Sequence, residues 1–173
     1  MDVAVCIVTY RRPQALARLL DGLNQLSLGD DQRDIRCIVV DNDEADSARA
    51  ACEVIRPHFR WKLECYVEPR RGIPYGRNAA VAHAGDSVDF LVFIHDDEVA
   101  ERGWLEELLR AQGRYDADVV AGPVIPRFTD PVPEWMIEGR LFERRRYATG
   151  HLAARVSCRR RRIHRRHCRS QTS

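Results

Sequence analysis

Five short apolar runs, separated by four helix-like stretches, constrain this chain more than any other feature. Val3 to Thr9, Ile35 to Val40, Trp61 to Val67, Asp89 to Ile94 and Asp118 to Val124 are rich in β-branched and aromatic residues and lack helical periodicity. Between the first two, Pro13 suits the opening turn of a helix, where its missing N–H costs nothing. Leu16, Leu19, Leu20, Leu23 and Leu26 then follow at the spacing of one helical face. Ala45 to Ile55, Pro74 to Ala84 and Trp104 to Gln112 read as three further helices. Strand–helix alternation of this kind predicts an α/β fold with a mostly parallel sheet, helices on both faces and right-handed crossovers.

The fourth run ends in Asp96-Asp97-Glu98. A hydrophobic strand has no use for three carboxylates at its tip, where repulsion and desolvation both cost free energy. Ligands bind at the carboxyl ends of open parallel sheets. A hard divalent cation bridging to a phosphate would relieve the repulsion, whereas plain solvation in a polar loop is the bland alternative. Four such tips should converge: Thr9-Tyr10, Asp41-Asn42-Asp43, Arg70 to Asn78, and the acidic triplet. Two common nucleotide fingerprints are missing. The first turn is Tyr10-Arg11-Arg12-Pro13 rather than Gly-x-Gly-x-x-Gly, and Gly72-x-x-x-Gly76-Arg77-Asn78 lacks the Lys-Ser/Thr of a P-loop.

These tips carry a resemblance. Val5-Cys-Ile-Val-Thr-Tyr-Arg-Arg-Pro13, Val39-Val-Asp-Asn-Asp43, Arg71-Gly-Ile-Pro-Tyr-Gly-Arg-Asn78 and His95-Asp-Asp-Glu98 closely resemble, in order and spacing over about residues 3 to 128, the family 2 glycosyltransferases. The resemblance implies the GT-A fold, a Rossmann-like three-layer sandwich that binds nucleotide sugars. It implies inverting transfer of a sugar from a UDP- or dTDP-type nucleoside diphosphate sugar to a hydroxyl of a glycan or lipid-linked acceptor, as in cell wall or polysaccharide biosynthesis. By the same resemblance Asp41 accepts a hydrogen bond from a pyrimidine imide, a role that competes with turn capping. Thr9 and Tyr10 line the nucleotide pocket, and Arg77 lies near base and diphosphate unless it is a helix-surface arginine. Asp96 contacts ribose or metal, Asp97 ligates Mn²⁺ or Mg²⁺, and Glu98 orients the pair or starts the next helix. Arg71 reads as a loop residue and Asn78 as a support. The resemblance implies a general base from an acidic motif well past the Val119–Val124 run, and none is identifiable, because the only acids there are Asp130, Glu134, Glu138 and Glu143, around or just after Pro131-Val-Pro133.

Charge divides the chain. All 26 acids lie at or before Glu143 with 17 Lys and Arg, a net of −9; from Arg144 onward there are 11 arginines and no acid. We therefore expect a nucleotide-sugar-binding domain over 1–143 and an Arg-rich tail over 144–173 that cannot bury enough apolar surface to order itself. A replaced carboxyl-terminal portion, as from a shifted reading frame, fits that tail best. Binding of nucleic acid or anionic lipid, or a metal cluster of Cys158, His164, His167 and Cys168, fits less well. Nucleic acid is thus not an expected partner, while peripheral membrane association is compatible. No apolar run approaches the ~20 residues of a membrane span. The amino terminus lacks a signal-peptide pattern, and six scattered cysteines suit reduced thiols. The expected location is the cytoplasm, including the inner face of its membrane.

Overall fold

The computed structural model describes residues 1–29, 33–128, 130–143 and 147–151. Two compact units divide the chain, Met1–Gly122 and Pro123–Ser173. The division falls seven residues beyond the last long helix, which ends at Tyr115, and ahead of the change in composition near residue 143. Most of the Arg-rich tail expected over 144–173 lies outside the described residues.

In the first unit, strands β1 (Asp2–Thr9), β2 (Asp34–Asp41), β3 (Lys62–Val67) and β4 (Phe90–His95) form one all-parallel sheet in the order β3-β2-β1-β4. β1 is central, and Val3 through Ile7 are fully buried, so their side chains point alternately into two cores. One core joins Val3, Val5, Ile7, Cys37 and Val39 to helices α1 (Pro13–Asn24), α2 (Arg49–Ile55) and α4 (Trp104–Tyr115). The other joins Ala4, Cys6, Ile38 and Val40 to α3 (Ile73–Ala84). Three layers result, as the alternation requires.

Each helix follows from its sequence. α1 begins on Pro13 and buries Leu16, Leu19, Leu20 and Leu23, each worth about 1.5–3 kcal/mol when fully removed from water. Leu26, the fifth leucine of that face, is buried just beyond the helix end. α3 buries Gly76, Ala80 and Ala84 at spacings of four, a stripe of small residues that brings the helix close to the sheet. A Cβ on Gly76 would lie 2.5 Å from Val8 Cγ1. α2 starts at Arg49 rather than Ala45, because residues 43–48 are held in turns by the Asp41 carboxylate.

The fifth strand expected over Asp118–Val124 does not form. A run of β-forming residues becomes a strand only with a ladder partner. Val119 and Val124 are exposed, and Pro123 has no amide hydrogen to contribute. β4 therefore stands at the border of the sheet. Cys6, Cys37, Cys52 and Cys65 are free thiols, and burial pushes Cys6 up to about 12. In the second unit, α5 (Glu134–Glu138) is flanked by an edge-to-face contact of Phe128 with Phe142, centroids 4.9 Å apart. Among the described residues no helix is long and apolar enough to cross a membrane.

Candidate functional site

Parallel pairing sets the register at the carboxyl rim. Val8 lies opposite His95, so Thr9 is carried alongside Asp96. The Thr9 hydroxyl donates to Asp96 Oδ2 at 2.7 Å, with both residues buried. Thr9 is therefore a buried donor that fixes one carboxylate. A reciprocal turn holds the two acids up: Glu98 N–H donates to the His95 carbonyl at 3.1 Å, and His95 N–H donates to Glu98 Oε2 at 3.0 Å. Asp96 is enclosed, whereas the Asp97 side chain is 60% exposed.

Arg12 completes this group. Its Nη1 lies 3.4 Å from Asp96 Oδ1 and 3.0 Å from Asp97 Oδ2. Arg11, the neighbour before it, has a left-handed backbone with φ 53° and pairs with Asp43 on a different strand tip, Nε to Oδ2 at 2.9 Å. That bond holds the Asp43 carboxyl below its usual range. Tyr10 carries two guanidinium groups near its ring, Arg11 at 5.1 Å and Arg71 at 4.8 Å from the centroid. Such contacts are worth about 0.5–1 kcal/mol at exposed sites.

Asp41 does not join the group. Its carboxylate accepts from Asp43 N–H at 3.0 Å, the Ser47 hydroxyl at 3.0 Å and Ala48 N–H at 2.7 Å, and the residue has no exposed surface. In this arrangement Asp41 caps the turn that follows β2. Asn42, next along, ties two loops together. Its Nδ2 donates to the Glu68 and Arg70 carbonyls, each at 2.8 Å, and its Oδ1 accepts from Gly72 N–H at 2.7 Å. This fastens the Arg70–Gly72 loop that delivers Arg71 to Tyr10. Arg77 is exposed on α3, where its Nη2 lies 3.1 Å from His95 Nε2 and its Cζ 5.3 Å from the Phe93 ring centre. It is at the rim, but not bonded to the acids.

The structure places Thr9, Asp96 and Asp97 side by side and adds Arg11 and Arg12, to which the sequence reading gave no role; Arg71, read as a loop residue, lies in the loop and reaches Tyr10. The available signal was the turn itself, since Tyr10-Arg11-Arg12 follows the central strand immediately. The late acids Glu134 and Glu138 belong to the second unit. Among the described residues, no three His, Cys, Asp or Glu side chains gather to hold a metal ion. Mg²⁺, however, is usually bound by one or two carboxylates, with waters and substrate phosphates completing its shell. The Asp96–Asp97 donor set fits a cation site of that substrate-completed kind.

Residues 4–168 match the description "Glycosyl transferase family 2". The chain belongs to that family. It is 36% identical over 139 residues to the succinoglycan biosynthesis protein ExoM of Rhizobium meliloti (strain 1021), a match covering 80% of this chain and 43% of that protein. The chain thus spans less than half the length of the curated relative it matches. Among solved structures, the family 2 chain is similar in fold to S. aureus TarS 1-349, with a TM-score of 0.58 at 20% identity, covering 73% of this chain and 39% of TarS 1-349. The same protein in complex with UDP-GlcNAc gives a TM-score of 0.56, covering 73% of this chain and 37% of that one. The neighbours are GT-A glycosyltransferases, so the three-layer sheet is the GT-A fold expected from the four motifs.

Proposed function

We propose that this chain is the nucleotide-sugar-binding part of an inverting glycosyltransferase that uses a UDP- or dTDP-type sugar donor, with a glycan or lipid-linked hydroxyl as acceptor. The observation that carries the reading is the bonded group at the rim, where Thr9, Arg12, Asp96 and Asp97 meet beside the Tyr10–Arg71 contact. Support also comes from outside the chain. TarS, of the same fold, forms complexes with UDP and UDP-GlcNAc, and ExoM is named for succinoglycan biosynthesis. Polysaccharide biosynthesis at the inner face of a membrane is the setting we propose.

Each residue then has a task. Thr9 holds Asp96 in one orientation, and the Glu98 turn keeps Asp97 facing solvent. Tyr10 offers a ring face for the base, with Arg71 and Arg77 supplying positive charge for the diphosphate, where a guanidinium makes paired, charge-assisted bonds. Asp96 and Asp97 would hold Mn²⁺ or Mg²⁺, whose Lewis acidity stabilises charge on the departing nucleoside diphosphate. Among the described residues, the rim carboxylates Asp41, Asp43, Glu68, Asp96 and Asp97 are already engaged in ion pairs and turns. That observation, together with the 43% span of ExoM, favours a second reading: a fragment that binds nucleotide sugar but does not transfer it.

Calorimetric titration with UDP and dTDP in the presence of Mn²⁺, followed by an assay for nucleoside diphosphate release with and without acceptor glycans, separates the two. Release that depends on acceptor establishes the enzyme. Binding without release establishes the fragment. Absence of nucleotide binding, with or without Mn²⁺, overturns both.

A further inference from the structure

We infer that Arg12 is a resident counter-ion of the Asp96–Asp97 pair, occupying the place a divalent cation needs and yielding it only when a diphosphate arrives. The inference rests on the proposal that these two acids take the cation. Its basis is geometric. One Arg12 nitrogen, Nη1, lies within 3.4 Å of both carboxylates, at Asp96 Oδ1 and Asp97 Oδ2. Its backbone is fixed, because its carbonyl accepts from Leu16 N–H at 3.0 Å in the first turn of α1. Its side chain is 56% exposed and can leave without disturbing that turn.

The charges make the position competitive. Two adjacent carboxylates repel, and a guanidinium, which is never deprotonated in a protein, cancels one of the two charges. A cation approaching alone must displace Arg12 and leave it without a partner. A cation approaching with a diphosphate brings oxygens to which the guanidinium can turn, since arginine forms bidentate bonds with phosphate. Cation and nucleotide should therefore bind with positive coupling, each tightening the other by the same factor. Arg11 cannot substitute for Arg12, since it is committed to Asp43.

The test uses the full chain and three variants, Arg12→Gln, Arg12→Lys and Asp97→Asn, with Mn²⁺ binding followed by paramagnetic resonance in the absence and presence of UDP. Arg12→Gln is expected to bind Mn²⁺ alone about two- to fivefold more tightly than the parent, the upper part of the range for a half-exposed ion pair. The enhancement of Mn²⁺ binding by UDP should shrink in that variant. Arg12→Lys keeps the charge and should stay near the parent, whereas a purely structural role would make it resemble Arg12→Gln. Equal or weaker Mn²⁺ binding by Arg12→Gln, with the parent and UDP still gathering Mn²⁺ through Asp97, overturns the inference and leaves the cation reading intact. Mn²⁺ binding that ignores both UDP and Asp97→Asn overturns the cation reading, and this inference with it.

Discussion

Asn42 offers the sharpest quantitative check on how the rim is assembled. It is buried at 5% exposure and joins three backbone groups across two loops. Carbonyls only accept and an amide N–H only donates, so the orientation of the side-chain amide is dictated. Asn42→Ala leaves the Glu68 carbonyl without its donor in a buried position, and the Arg70 carbonyl and Gly72 N–H in partly solvated ones. Taking about 1–3 kcal/mol for the buried group and about 0.5 kcal/mol for each of the others, the loss is about 2–4 kcal/mol. For the 122-residue first unit, roughly 3–5 °C per kcal/mol puts the fall in Tm at about 6–20 °C. Asn42→Asp sharpens the test. It is nearly isosteric and still accepts from Gly72, but it turns a carboxylate oxygen toward two carbonyl oxygens. At neutral pH it should therefore be at least as damaging as Asn42→Ala, and should partly recover below the ordinary carboxylate range, where the protonated acid can donate. Thermal and urea melts of both variants at two pH values decide the matter. An aspartate variant as stable as the parent at pH 7 would refute the described network.

Three further outcomes follow from the same geometry. Gly76→Ala drives a methyl group to within 2.5 Å of Val8 Cγ1 and should cost about 1–3 kcal/mol as overpacking; adding Val8→Ala should recover part of it in a double-mutant denaturation cycle. Thr9→Val removes the donor to buried Asp96 and should cost about 1–3 kcal/mol while weakening Mn²⁺-dependent UDP binding, and Thr9→Ser should retain both. Glu68 accepts two side-chain bonds from Arg70 and the Arg70 N–H, which hold its carboxyl at about 2 against an ordinary 4.5. The unfolded chain binds this proton first as acid is added, so the contribution is complete above about pH 4.5 and fades as pH falls toward about 2. Glu68→Gln should flatten the acid limb of a stability-versus-pH curve over that window, and an unchanged limb would contradict it.

The fold was legible where apolar pattern and partner agree. β1, β2, β3 and β4 and helices α1, α3 and α4 fall where bulky runs and spaced leucines put them, within a residue or two for most. Asp118–Val124 has the same local signature and forms no strand, because pairing is a property of two segments and not of one. At the rim, Asp96 and Asp97 announced themselves by being charged at the end of an apolar run. Arg12 did not, since its partners lie more than eighty residues away and are reached only through the β1–β4 register. Asp41 shows a different limit. A carboxylate at a strand end suits a ligand or a turn equally well in sequence, and only its three enclosed bonds distinguish the two.

Placing Phe90-Leu-Val-Phe-Ile-His95 outermost has a practical result. A lateral row of amide and carbonyl groups is left on a segment with no lysine or proline to deter a visiting chain, and among the described residues no other strand pairs with it. Concentrated preparations of this polypeptide should accordingly zip together along that border into higher-order species, and a charged replacement for Leu91, which is 38% exposed, is the change that should keep them apart.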